Sequence, residues 1–305
     1  MGYRLIISLL ISVLIISCSS SEKTNEKEKI IILSTTGMIY DIALNIGGEK
    51  VNAQYLMGPG VDPHLYKATQ NDLIKMREAD VIFYNGLHLE GKMQETFEKL
   101  AKSKPVIAIS SGIDKSLLKE SKDFGGTYDP HIWFDVSLWK NAVETVKNTL
   151  AEKDPENKEY YSKNASKYLN NLDELHSWVL NSIATIPKDH RVMITAHDAF
   201  GYFGMAYDIE VRGLQGISTR SEPGLRDITD LTEFITSNKI KAVFVESSVS
   251  EKSLRAVVEG CKEKGHNVKI GGTLFSDAMG ADNTPEGTYD GMVRHNVNTI
   301  VNSLK

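Results

Sequence analysis

The sequence is poor in cysteine, with two in 305 residues. A fold stapled by several disulfides is therefore excluded, and stability must come from a buried core. The length allows for about two domains. An excess of one charge is also missing. Basic residues number 35 against 40 acidic ones, a net charge of −5 with both signs interspersed. No basic stripe and no interleaving of basic with aromatic residues occurs, so nucleic acid is not an expected partner. Two glycine-containing stretches, "GGTLFSDAMG" and "EVRGLQGIS", fit neither a phosphate loop nor a dinucleotide fingerprint. The chain also lacks a G-x-S-x-G nucleophile elbow and an H-E-x-x-H zinc-protease motif.

Only one long apolar run is present. Arg4 precedes "LIISLLISVLIIS", residues 5–17, which is too short to span a bilayer comfortably but fits the core of an export signal. The run ends in Ile15-Ile16-Ser17-Cys18, which is similar to a bacterial lipobox, where the cysteine is lipidated and becomes the first mature residue. Residues 1–17 are thus expected to be a signal peptide. Residues 18–29, polar and low in complexity after Cys18, are expected to be a flexible lipidated tether. With Cys18 acylated, Cys261 has no intrachain partner and is expected to pack as a small hydrophobe.

Beyond the tether, 41% hydrophobic and 25% charged residues describe a globular chain. Short apolar runs alternate with amphipathic ones. Strands are expected at 29–35, 51–57, 81–86 and 105–110, and again at 191–196, 210–215, 241–247 and 268–275. Helical spacing appears in "IYDIALNIG", "TQNDLIKMREA", "QETFEKLAKS", "FGYFGMAY", "LRDITDLTEFITSN", "SEKSLRAVVEGCKEKG" and "DGMVRHNVNTIVNSL". Such alternation predicts an α/β fold of two parallel-sheet (βα)4 lobes. Between the series, residues 155–186 contain no internal Gly or Pro. Asp154 and Pro155 suit a helix start and Pro187 a stop. Apolar residues recur every three or four positions at Tyr161, Ala165, Tyr168, Leu172, Leu175, Val179, Ile183 and Ile186. The spacing predicts one helix of roughly 45–50 Å joining an N-terminal lobe (30–153) to a C-terminal lobe (188–305) through residues 154–187.

Asp-Pro-His occurs twice, in "GVDPHLY" and "YDPHIWFD". Proline fixes its own φ and restricts the residue before it, so His64 and His131 are each presented on a stiff loop after a predicted strand. His197, in "TAHDAFGYFG", ends the first strand of the second series, and Asp277, in "GGTLFSDAMG", follows the last. Open parallel sheets bind ligands beyond the carboxyl ends of their strands. Two groups from each lobe would converge on one cleft, and three imidazoles with a carboxylate complete a tetrahedral shell for Zn2+. His88, in "NGLHLEGK", also follows a strand, and spacing does not exclude it. His176, His190, His266 and His295 are placed away from strand carboxyl ends and read as structural or exposed. Glu246 ends a strand and is either a carboxylate behind a ligand histidine or an unrelated loop residue. Tyr66, Trp133, Phe134 and Phe200 are expected to pack the cleft walls.

Taken in order, "MGPGVDPHLYKAT", "ADVIFYNGLHLEGKM", "DPHIWFDVSLW", "TAHDAFGYFG", "EVRGLQGIST", "FVESSVS" and "GGTLFSDAMG" carry a family pattern from about Ile31 to the C-terminus. The chain resembles the cluster A-I (cluster IX) zinc and manganese substrate-binding proteins of ABC transporters, most closely the TroA-like treponemal branch. That resemblance implies a metal held between two α/β lobes joined by one long backbone helix. It implies His64, His131, His197 and Asp277 as ligands, and not His88. It also implies a non-catalytic, monomeric lipoprotein, anchored in the bacterial cell envelope through Cys18 on the periplasmic or extracytoplasmic side. There it hands Zn2+ or Mn2+ to a membrane permease driven by a cytoplasmic ATPase. Many zinc-specific members carry a loop rich in His, Asp and Glu, which this chain lacks. Many manganese-specific members have Glu at the third ligand, where this chain has His197. Together these leave zinc and manganese both open, with a lean toward zinc. The rival expectation is an exported zinc hydrolase, with three histidines as an open site and Asp277 as its base. A surface adhesin, a role sometimes given to related lipoproteins, finds no repeat or stalk in the sequence.

Overall fold

The computed structural model describes residues 29–121 and 126–305. The expected signal peptide, Cys18 and all of the tether but Lys29 lie outside the described residues. Among those described, the chain forms strands β1 (Ile30–Thr36), β2 (Val51–Met57), β3 (Val81–Tyr84) and β4 (Val106–Ala108), then β5 (Val192–His197), β6 (Glu210–Gln215), β7 (Ala242–Glu246) and β8 (Lys269–Leu274). Its helices are α1 (Gly37–Gly47), α2 (Gln70–Glu78), α3 (Gln94–Leu100), α4 (Val136–Lys153), α5 (Lys158–Ile183), α6 (Gly201–Tyr207), α7 (Leu225–Ser237), α8 (Lys252–Glu263) and α9 (Tyr289–Leu304). No helix among the described residues is long and apolar enough to cross a membrane.

The strands form two four-stranded sheets, ordered β2-β1-β3-β4 and β6-β5-β7-β8, with every pairing parallel. The same topology occurs twice, as the two series of βα units predict. Alternation along the strands divides the core. Ile32, Val81 and Phe83 of the first sheet, with Met193, Ala242 and Phe244 of the second, point into one cluster shared by both lobes. Their neighbours Leu33 and Ile82 pack in a cluster belonging to the first lobe. Ile194, Val243 and Val245 do the same in the second, with Cys261, which is fully buried as expected. Successive residues of a strand face opposite sides, so a parallel sheet covered on both sides needs apolar residues at both.

The shared cluster is organised by α5. All eight apolar positions anticipated from spacing, Tyr161 to Ile186, are buried in it, and the helix runs unbroken through Asn170 and Asn171. It is shorter than predicted, about 39 Å for its 26 residues. Pro155–Asn157 forms a separate 3-10 turn. Asp154 does not cap that turn through its side chain. Its carboxylate instead accepts from Asn157 Nδ2 at 2.6 Å and Tyr161 OH at 2.9 Å. Toward its start α5 holds the first lobe, with Tyr168 OH donating to Asp41 at 2.6 Å. Toward its end it meets the second, with His176 Nδ1 3.1 Å from Tyr207 OH and Arg294 lying over Trp178.

One helix was not anticipated. α4 follows a loop rather than a strand and so stands outside the strand–helix alternation of the sequence. Its signals are nonetheless local. Asp135 caps it, accepting from Ser137 N at 2.9 Å and Leu138 N at 3.2 Å. Trp139, Ala142, Val143, Val146 and Leu150 form its buried stripe. It packs along α5.

Candidate metal centre

The two Asp-Pro-His loops use one device. Asp62 Oδ1 accepts the backbone N–H of His64 at 2.8 Å, and Asp129 Oδ1 accepts that of His131 at 3.0 Å. A side chain that bonds the backbone two residues on fixes a tight turn, and proline stiffens it from within. His197 stands on β5 itself. Glu246, at the end of the adjacent β7, accepts its backbone N–H at 2.8 Å through Oε1. Asp277 lies in the loop after β8. His64, His197 and Asp277 lie at or shortly after strand carboxyl ends, His131 reaches the same place on the long loop after β4, and all four are buried.

Their ligand atoms meet at one point between the lobes. His64 Nε2 is 3.3 Å from His131 Nε2. Asp277 reaches His131 Nε2 at 3.4 Å, His197 Nε2 at 3.3 Å and His64 Nε2 at 3.8 Å. A tetrahedron with bonds of about 2.05 Å, the usual zinc–nitrogen length, has edges of about 3.3 Å. The His64–His131 separation and that from Asp277 Oδ2 to His197 match this edge, while Asp277 turns its other oxygen, Oδ1, to His131. Neither Asp277 oxygen has a hydrogen-bond partner of suitable geometry among the described residues. An unsatisfied buried carboxylate is costly unless a cation reaches it.

Carboxylates stand behind two of the imidazoles. Asp129 Oδ1 lies 2.8 Å from His131 Nδ1, and Glu246 Oε2 lies 2.5 Å from His197 Nδ1. Such partners direct the free Nε2 at the metal and raise its basicity. Burial is the largest influence on His131 and opposes its charge, but Asp129 and Asp277 outweigh it and raise the imidazole to about 9. For His197, burial is likewise overcome by Glu246 and Asp277, which hold it well above the ordinary histidine value. Burial works against the Asp277 carboxylate too, yet the surrounding imidazoles keep it well below the usual range. On His64 burial prevails and pushes the imidazole down to about 3.

The four residues expected from the sequence are thus brought together, and Glu246 is resolved as the carboxylate behind His197. His88 is not in the cluster. It is exposed, with φ of 66°. The histidines read as structural have other partners: His266 Nε2 lies 2.7 Å from Ile240 O and His295 Nε2 3.0 Å from Thr273 O, while His190 is within 3.2 Å of Lys241 Nζ. Trp133 borders the site as expected, its ring 5.2 Å from that of His131, while Phe134 and Phe200 pack against each other in the shared core. Tyr66 is only partly buried and donates to Asp72. Lys119 was missed. Its Nζ lies 3.1 Å from Asp129 Oδ2 and 3.7 Å from Asp198 Oδ2, pairing with a carboxylate of each lobe. Nothing in its own sequence neighbourhood signals that role.

A family model described as zinc-uptake complex component A, periplasmic (ZnuA), matches residues 32–303. The chain is 52% identical over 274 residues to the manganese-binding lipoprotein MntA of Bacillus subtilis, covering 90% of this chain and 89% of that protein. It is 46% identical over 278 residues to the zinc-binding protein TroA of Treponema pallidum, again over 90% of this chain and 89% of the other. The solved structure of the Treponema pallidum periplasmic zinc-binding protein TroA superposes with a TM-score of 0.89 at 45% identity, over 91% of this chain and 99% of that one.

Proposed function

The chain belongs to the ZnuA family, and from that premise we propose that it captures Zn2+ or Mn2+ outside the cytoplasmic membrane and delivers it to an ABC-transporter permease. His64 and His131 of lobe 30–153, with His197 and Asp277 of lobe 188–305, are the ligands. The single observation that carries this reading is the buried Asp277 carboxylate, without a hydrogen-bond partner among the described residues, facing three imidazole Nε2 atoms at 3.3–3.8 Å.

Zinc suits the site as a closed four-coordinate shell. Manganese is also accepted, because Asp277 turns both oxygens inward, Oδ1 toward His131 and Oδ2 toward His197 and His64. Engaging both oxygens adds a fifth donor, which suits a metal that favours more and harder ligands. The relatives divide in the same way, one named for manganese and one for zinc. A site able to hold manganese through nitrogen and oxygen also holds zinc, since affinity rises along that series.

Cys18 carries the lipid that holds the protein on the membrane, and residues 18–29 give it reach. The lipobox-like Ile15–Cys18 and a relative's designation as a lipoprotein support this. As a monomer it docks on the permease, which the cytoplasmic ATPase drives. No observation favours the hydrolase. With Asp277 as fourth ligand the shell is closed to an activated water, and the matched relatives are binding proteins.

Calorimetric titration of the metal-free protein with Zn2+ and Mn2+ tests the assignment. His64→Ala and Asp277→Ala each lose most of the binding of the unaltered protein. Full binding retained by both variants would falsify it.

A further inference from the structure

His64 differs from its fellow ligands in how it is held. It is the most exposed of the four, at 4% against 0% for His131 and His197 and 1% for Asp277. A cavity of about 280 Å³ reaches it, lined also by His88, Lys92, Ser218 and Arg220. No carboxylate stands behind its Nδ1 among the described residues, whereas His131 has Asp129 and His197 has Glu246. What fixes it is Asp62, through the backbone bond to Oδ1.

Asp62 in turn is held from across the cleft. Its other oxygen, Oδ2, accepts from Thr219 Oγ1 at 2.5 Å, and Thr219 lies in the second lobe between β6 and α7. The turn before it leans the same way. Val61 N donates to Gly58 O, with Pro59 and Gly60 between them and Gly60 at φ 72°, the pattern of a type II turn. There a Cβ on Gly60 would stand 3.4 Å from Ser247 O of the second lobe. Earlier in the same segment, Tyr55 OH donates to Asp282 across the cleft at 2.7 Å. Elsewhere the seam between the lobes is deeply buried. Trp133 Nε1 donates to Ser276 O, Tyr289 OH to Trp133 O and Tyr202 OH to Asp129 O, at 2.7–3.0 Å.

We propose that the Asp62–Thr219 hydrogen bond is the latch that retains the metal, with Asp62 the positioning residue for His64. This inference rests on the metal-receptor reading above. Breaking one bond frees the 58–66 loop and swings His64 off the ion toward the cavity, while the buried seam and the other three ligands stay in place. A partner that displaces Thr219 therefore opens the site without separating the lobes. Because the bond holds His64 on the ion rather than guiding the ion in, its loss speeds escape more than it slows entry.

The test uses the full mature chain loaded with Zn2+ and mixed with excess EDTA in a stopped-flow instrument. Thr219→Val removes the hydroxyl at nearly constant shape. It is expected to accelerate zinc release by about tenfold, the worth of one hydrogen bond to a charged acceptor. Its association rate stays unchanged. Thr219→Ser, which restores the donor, releases zinc at the original rate. Thr219→Ala repeats the measurement should the valine variant not fold. Release within twofold of the unaltered protein, or equal acceleration by Val and Ser, overturns the latch. If the unaltered protein takes up no zinc at all, the receptor reading itself fails, a different outcome from either.

Discussion

The two lobes share a strand order and each supplies two of the proposed ligands, yet they aim their histidines by different means. In the first lobe the support is local. Asp62 and Asp129 each bond the histidine two residues on, and proline stiffens the link. In the second, His197 is rigid because it belongs to β5, and its partner Glu246 arrives from β7, 49 residues later. Electrostatically the results converge. Asp129 behind His131 and Glu246 behind His197 are the same arrangement, built once by a turn and once by a sheet. Geometry at the metal is thus reached from either short-range or long-range order. The lobe that relies on short-range order is also the one with a proposed ligand, His64, that has no carboxylate behind its Nδ1 among the described residues.

The two lobes stand as one body. Their inner faces share a single core with α5 running through it. Leu175, near the middle of that helix and fully buried, tests this. Leu175→Ala is expected to cost about 2–5 kcal/mol. Thermal unfolding should shift as a single transition, followed by calorimetry on the metal-free protein. Two transitions, with only one displaced, would mean that each lobe stabilises itself and that α5 is merely a connector.

A smaller effect separates the two carboxylates. Losing the partner behind a ligand histidine typically costs about 10–100-fold in metal affinity. Asp129 shares its charge with Lys119, 3.1 Å away. Glu246 forms no ion pair except with His197 among the described residues. Glu246→Gln therefore belongs near the hundredfold end and Asp129→Asn near the tenfold end, measured by competition with a chelator of known affinity. Equal losses would show that Lys119 does not dilute the Asp129 charge.

The same contrast explains what could be read from the sequence. Parallel sheets, the unbroken helix and the buried stripe from Tyr161 to Ile186 follow from periodicity, which is local. His64 and His131 announced themselves through Asp-Pro-His, and His197 and Asp277 through their places after strands. Glu246 stayed ambiguous because its partner lies on another strand, and only the pairing of β5 with β7 brings them together. Thr219 is illegible for the same reason, since its partner Asp62 belongs to the opposite lobe, and so is the contact of Lys119 with Asp198. α4 was legible in principle from Asp135 and its stripe, and was missed because the alternation of strands and helices breaks there.

The mildest perturbation, pH, asks whether the lobes also share the protons that metal must displace. Burial opposes charge on His131, but Asp129 and Asp277 raise it to about 9, and His197 is raised well above the ordinary value against the same opposition. Both folded values exceed the unfolded imidazole value of about 6.5. Their charged forms therefore stabilise the metal-free fold fully below that value, and this stabilisation fades as pH rises through about 9 for His131. Metal binding requires neutral imidazoles, so it releases those protons and apparent affinity climbs with pH across the same window. His64, pushed down to about 3 by burial, has no proton to give near neutrality. Titration with Zn2+ at pH 7 in buffers of different ionisation enthalpy should then count one proton from His131 and one from His197, one per lobe. Glu246→Gln should remove the second lobe's proton and leave the first lobe's in place. A proton count unchanged by that substitution would show that the two lobes do not charge their histidines independently.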